Sequence, residues 1–212
     1  GHQAVIYEEA PLAGGMMRFG IPKYRLPREV LDAEIQRIVD YGVELHLQTK
    51  VTSVPDALKD GFDAVFLGVG AHIAKRAYIP AGDANKVLDA VAVLHDMEGS
   101  SAPMLGRKVV VYGGGNTAMD AARTARRLGG NVTIVYRRTQ SEMPARVEEL
   151  HHALEEGIKL KVLRSPCEFI GDDKTHFVKA ANLEVIALGE PDASGRRSPV
   201  ATGEKEIMKA DL

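Results

Sequence analysis

The feature that most constrains the fold is the run Lys-Val-Val-Val-Tyr-Gly-Gly-Gly-Asn-Thr-Ala-Met-Asp, residues 108–120. A five-residue stretch of strand character, 108–112, stops on Gly113, Gly114 and Gly115. An alanine-rich stretch then reads as a helix over 116–128, ended by Gly129-Gly130, and 132–136 reads as the next strand. Strand, helix and strand joined by turns this short make a βαβ unit with parallel strands. The spacing of the small residues carries chemistry. A first glycine turns the chain, a second lets the backbone approach a pyrophosphate, and a third small residue lets helix and strand pack closely. Gly113, Gly115 and Ala118 hold those places, and Asn116 and Thr117 add side-chain donors. The bland alternative is an ordinary glycine-rich turn. The flanking strand, helix and second strand favour a dinucleotide site.

The end of the second strand bears on which dinucleotide. An NAD site usually places an acid about 20 residues beyond the glycines, against the adenosine ribose. Here the strand ends Ile134-Val135-Tyr136-Arg137-Arg138-Thr139, with no acid. Two guanidiniums suit the 2′-phosphate of NADPH through charge-assisted hydrogen bonds, the competing reading being a solvated pair after an edge strand. Any anion site must be local, because the net charge of −2 over 212 residues offers no basic field for nucleic acid or a membrane surface. No apolar run approaches the roughly 18–20 residues that span a bilayer. Cys167 is the sole cysteine, which excludes a Cys-x-x-Cys pair and a multi-thiolate metal site, and fits a reducing cytoplasm.

Around this unit the pattern is less regular. Residues 1–8 read as a turn and a short buried strand ending on the acidic Glu8, and 11–27 as a Gly/Pro-rich loop. A helix is expected over 28–41, stopped by Gly42, and short strands over 43–47 and 51–54, with Val54-Pro55 as the exit. The apolar run 63–69 reads as a parallel strand buried on both faces. A short helix is expected over 89–97 and a connector at Gly99-Ser100-Ser101-Ala102-Pro103. Beyond 136, a helix over 146–156, a strand over 159–163, antiparallel strands through 181–188 and a polar hairpin tip over 192–202 complete the order. Asp120 reads as an acid in the first helical turn, and Arg126 and Arg127 as basic caps of the same helix. His151-His152 reads as a helix-surface pair and Cys167 as a packing residue. The chain opens on Gly1-His2-Gln3 and closes on Lys209-Ala210-Asp211-Leu212, which reads like the approach to another strand. Both ends suggest a piece of a longer protein.

Residues 112–120, Tyr136-Arg137-Arg138 and Glu142-Met143-Pro144-Ala145 resemble the NADPH domain of the glutamate synthase small-subunit family of FAD-containing pyridine-nucleotide oxidoreductases. Gly14-Gly15-Met16-Met17-Arg18-Phe19-Gly20-Ile21-Pro22 and Phe66-Leu67-Gly68-Val69-Gly70-Ala71 resemble its flavin-contacting loops. The resemblance implies an α/β fold in which a Rossmann-like NADPH domain, 107–205, is inserted in a partial FAD domain, 1–75. A connector, 76–106, would join them, and 206–212 would begin the return. It also implies that Glu8 binds the adenosine ribose of FAD, that Gly14, Gly15 and Arg18 lie along the flavin, that Val51 meets the adenine through its backbone, and that Gly70 closes over the cofactor. The family's first FAD strand and glycine turn would precede Gly1, and its closing FAD segment would follow Leu212. The implied activity is hydride transfer from NADPH to FAD, with electrons passed to an iron–sulfur or large catalytic subunit and no side chain acting as acid, base or nucleophile. The alternatives are a non-catalytic NADPH-binding or sensing module and a disulfide reductase, the latter opposed by the single cysteine.

Overall fold

The structure, a computed structural model, describes residues 1–71, 79–98, 106–193 and 195–211. The glycine turn lies at the centre of its best-packed part. Strand β3 (Lys108–Tyr112) leads through the turn into helix α5 (Asn116–Arg127), which returns along the sheet to β4 (Asn131–Tyr136). A second crossover through a short 3-10 turn (Gln140–Glu142) and helix α6 (Val147–Glu155) delivers β5 (Lys159–Val162). The three strands are parallel in the order β3-β4-β5. One face is covered by the helices: Met119, Ala122 and Ala125 of α5 and Leu150 and Ala153 of α6 pack on Val109, Val132 and Ile134. Alanines on the inner face of α5 let its axis come close to the sheet, while Met119 fills the remaining volume. Burying a side chain such as Met119 or Ile134 contributes roughly 1.5–3 kcal/mol.

The other face is covered by an antiparallel sheet, β6 (Arg164–Gly171), β7 (Val178–Pro191) and β8 (Arg197–Lys209). Ala181 and Leu183 of β7 meet Val135 there, with Phe169 and Met208 at the margin. The expected hairpin tip over 192–202 is shorter than its composition suggests, because β8 has already begun at Arg197. Residues 206–209 continue β8, and Asp211 then turns to Lys108: its backbone N–H donates to the Lys108 carbonyl at 2.9 Å.

The N-terminal part is thinner. Strand β1 (Val5–Tyr7) pairs in parallel with β2 (Glu44–His46), flanked by helices α1 (Gly15–Phe19) and α2 (Arg28–Val39). The strand expected over 1–8 forms but is not buried. Ile6 and Tyr7 are exposed, since a two-stranded ribbon has too little cover for both faces. The strand expected over 51–54 is absent. Instead Ser53 caps helix α3 (Val54–Lys59), its hydroxyl accepting from the Asp56 N–H at 3.3 Å, and Pro55 sits in the first turn where it lacks no partner. The run 63–69 is not a strand either. Phe66, Leu67 and Val69 are 94%, 65% and 76% exposed, and among the described residues no ladder partner meets them.

Between the two parts, helix α4 (Ala90–Asp96) starts where Asp89 accepts from the Val91 and Ala92 N–H groups. It packs against both α1 and α5, with the His95 ring stacked on Phe19 at 4.7 Å. The connector expected at 99–103 lies outside the described residues, as do 76–78. Among the described residues no helix is long and apolar enough to cross a membrane.

Candidate dinucleotide site

The glycine turn has the geometry that its spacing implies. Gly113 has φ +149°, and a Cβ there would stand 3.3 Å from the Cβ of Ala118, so the first and third small residues are in mutual close contact. Gly113 N–H donates to the Val135 carbonyl at 3.0 Å, which holds the turn against β4. Gly115 caps α5, and a Cβ there would meet nothing within 4 Å. The turn therefore leaves open space at the start of α5, where backbone N–H groups suit an anion.

Gly114 has a role that spacing does not reveal. A Cβ on it would lie 2.7 Å from the ring of Tyr136, a residue 6% exposed whose hydroxyl donates to the Glu142 carbonyl at 3.0 Å. The Tyr136 ring thus forms the floor of the turn. On the opposite side the Gly114 carbonyl accepts from Ala145 N–H at 3.0 Å, and Asn116 Oδ1 accepts from Arg146 N–H at 3.1 Å. The Asn116 oxygen is thereby engaged, and its amide nitrogen makes no hydrogen bond among the described residues. Thr117 and Ala118 border a cleft of about 1060 Å³, together with Gly113 and Gly115. Met16 and Phe19 of α1 and His95 of α4 border the same cleft. The glycine turn and the side chains of Met16 and Phe19 of α1 therefore border one space.

The two arginines differ. Arg137 is exposed and makes no ion pair or hydrogen bond among the described residues. The Arg138 Nε donates to the Arg197 carbonyl at 2.9 Å, which fixes one edge of its guanidinium and leaves the terminal nitrogens. Beside them, the Glu142 carboxylate is held by the hydroxyl and N–H of Thr139. The Thr139 hydroxyl, its N–H and the charges of Arg138 and Arg197 hold the Glu142 pKa below the usual carboxylate range.

The residues expected along FAD are less uniformly placed. Glu8 follows the end of β1. Its carboxylate accepts from Ala10 N–H at 2.8 Å, and its carbonyl accepts from Thr49 N–H at 2.8 Å. This brings Glu8 beside the segment leading to the exposed Val51. Gly14 (φ +125°) and Gly15 (φ +50°) make the sharp entry to α1 that only glycine adopts without strain. Arg18 is buried rather than open to a ligand: its Nε donates to the Ala13 carbonyl at 2.5 Å, and its guanidinium pairs with Asp32 and Glu98. Gly70 (φ +68°) is exposed, with no hydrogen bond joining it to Glu8 or Gly14.

Other expectations shift with packing. Asp120 falls in the second turn of α5, not the first. It is 4% exposed and accepts two bonds from Arg25, at 2.8 and 2.7 Å. Burial raises its pKa despite the opposing Arg25 guanidinium. Arg126 and Arg127 do more than cap their own helix. Arg126 donates to the Glu156 carbonyl at 2.7 Å and Arg127 to the Glu156 carboxylate at 2.7 Å, tying α5 to the end of α6. His151 and His152 are both exposed on α6, and the Cys167 Sγ donates to the Asn182 carbonyl at 3.2 Å.

The model of one family, the pyridine nucleotide-disulphide oxidoreductases, matches residues 6–192. The chain is 39% identical to the beta subunit of an NADP(+)-dependent formate dehydrogenase from Moorella thermoacetica, over all of this chain and 31% of that protein. It is 36% identical to the small chain of NADPH glutamate synthase from Escherichia coli K12, over all of this chain and 48% of the relative. Among solved structures, FprA from Mycobacterium tuberculosis (a His57Gln mutant) superposes with a TM-score of 0.82 at 20% identity, over 99% of this chain and 62% of that one. The chain thus spans a third to a half of the length of these two curated relatives.

Proposed function

The chain belongs to the pyridine nucleotide-disulphide oxidoreductase family, and from that premise we propose that it holds the NADPH-binding part of a flavoprotein that moves reducing equivalents from NADPH through FAD to a partner subunit. The observation that carries this reading is the pairing of an open glycine turn at Gly113–Gly115 with Arg137, which has no partner among the described residues, at the end of the adjacent strand. The family's cofactors are NADPH and FAD. Gly113, Gly114 and Gly115 would face the pyrophosphate with the N–H groups of the first turn of α5, aided by Asn116 and Thr117, while Ala118 permits the close packing. Arg137 and the terminal nitrogens of Arg138 would bind the 2′-phosphate. When bound, NADPH supplies a hydride and FAD accepts it.

The residues of this chain contribute position rather than proton transfer. The cleft that Gly113 and Gly115 share with Met16 and Phe19 of α1 supports a hydride passage between two cofactors held close together. Glu8, Gly14, Gly15, Val51 and Gly70 would line the FAD side. Arg18 would serve there by rigidifying the entry to α1, since its guanidinium is already engaged by Ala13, Asp32 and Glu98. Disulphide chemistry is not carried by these residues, which hold one cysteine. Relatives named as a beta subunit and a small chain support a partner subunit; its reading as an iron–sulfur or large catalytic subunit that receives the electrons follows from the family resemblance.

Calorimetric titration of the chain with NADPH and with NADH tests the reading, repeated on Arg137→Ala. NADPH is expected to bind more tightly, and the substitution to remove about 1.5–3 kcal/mol, roughly 10- to 100-fold, from NADPH alone. Equal affinity for the two nucleotides would overturn the role of Arg137, and binding of neither would overturn the site.

A further inference from the structure

The loop that follows α1 reaches across to the dinucleotide part through a cluster of charges that the site does not use. Arg25 donates to both oxygens of the buried Asp120 and lies 3.5 Å from Glu149 of α6. Its neighbour Tyr24 is covered by two guanidiniums of α5, Arg127 at 3.9 Å and Arg123 at 4.7 Å from the ring centre. Those arginines are themselves fixed: Arg123 pairs with Glu149 at 2.9 Å and Glu156 at 3.0 Å, and Arg127 with Glu156 at 2.7 Å. The other end of the loop is held on its own side. Arg28 donates to the carbonyls of Arg18, Ile21 and Leu26 as well as to Glu98.

We infer that Arg25 is a positioning residue, which with Tyr24 locks helix α5, and the glycine turn at its start, in one orientation relative to α1 and the N-terminal part. The geometry supports a lock rather than a simple tether. A single contact is a pivot, but Asp120, Glu149 and the Arg123–Tyr24–Arg127 stack are separate points spread over two helices. Rotation of α5 would strip the Asp120 carboxylate of its partner inside a site from which water is excluded, so the aligned arrangement is favoured over neighbouring ones. The consequence for hydride delivery rests on the proposed cofactors; the lock itself does not.

The test measures orientation directly. Nitroxide labels on Ala33→Cys of α2 and His151→Cys of α6, both exposed, in a Cys167→Ser background, report the separation of the two parts by pulsed dipolar spectroscopy. One narrow distance population is expected for this chain. Arg25→Ala is expected to add a second, broad population while its far-ultraviolet dichroism stays unchanged. Arg25→Lys, which keeps the charge but not the reach to both acids, is expected to fall between them. Should Arg25→Ala lose helical signal, Arg25→Lys carries the test on the same two readings. Distributions that superpose for the substituted and unsubstituted chains overturn the inference. A chain that binds no NADPH but shows the broadening would sink the cofactor reading and leave the lock standing.

Discussion

At the residue scale, adjacent glycines of the turn have separable tasks. Gly114 has the Tyr136 ring against it, and that ring is held by its own hydrogen bond to Glu142. Gly114→Ala is therefore expected to lower stability by about 1–3 kcal/mol, as overpacking does where the neighbour cannot move freely. Gly115 faces open space at an ordinary φ of −92°. Gly115→Ala is expected to melt with the unsubstituted chain yet bind NADPH at least about tenfold more weakly, its methyl group standing where the phosphates approach. Thermal melts and calorimetry on the two variants separate the effects. Tyr24 offers a complementary case. Its hydroxyl is buried with no hydrogen-bond partner among the described residues, and burial pushes its pKa up to about 12. Tyr24→Phe keeps the ring beneath Arg127 and removes the unsatisfied group. Urea denaturation should give a stability unchanged or raised by up to about 1 kcal/mol.

At the scale of elements, much of what the sequence encodes is local, and local features were legible. Helix α5 announces itself by alanine composition between two glycine stops, and α4 by Asp89 ahead of an apolar run. The signals missed have equally specific reasons. Ser53 and Asp56, three apart with Pro55 between them, are a helix start, overlooked because Val51 and Val54 resemble a strand edge. The run 63–69 has strand composition, but a parallel strand exists only through its neighbours. Long-range ladders carry their own electrostatics. Glu206 of β8 accepts from Lys161 of β5 at 2.7 Å and from Arg164 of β6 at 2.9 Å. The Lys161 hydrogen bond, opposed by partial burial and aided by Arg164, lowers the Glu206 pKa from its usual 4.5. A depressed carboxylate stabilises the fold above its unfolded pKa, and that contribution disappears as pH falls through the folded value. The group is a third exposed, so Glu206→Gln is expected to cost only about 0.5–1 kcal/mol at neutral pH. Urea titrations should find that difference closing below pH 4.5.

For the whole molecule, the contacts between residues far apart in the chain could not be anticipated. Arg25 and Asp120 are 95 residues apart, and nothing in the spacing of either marks the other as its partner. Asp120 resembles any helix acid until the fold buries it. Likewise Arg18 stands in a loop pattern that suggests ligand contact, yet packing surrounds it with Asp32 and Glu98. Charge-bearing residues are the ones whose roles depend most on distant chain, because a guanidinium satisfies whichever acid the fold brings within reach.

Arg137 projects from the end of β4 into solvent with no partner among the described residues, while Gly114, Tyr136 and Ala118 behind it are buried. If Arg137 reads the 2′-phosphate as proposed, preference between nucleotides and integrity of the scaffold rest on different atoms. On that reading, variation at position 137 would retune cofactor choice at almost no cost to folding, whereas drift at Gly114 or Tyr136 would be penalised before any change in specificity could be selected. A lineage moving between metabolic pools of reductant would, if the arginines read the nucleotide as proposed, leave its record in them, with the glycine turn beneath unchanged.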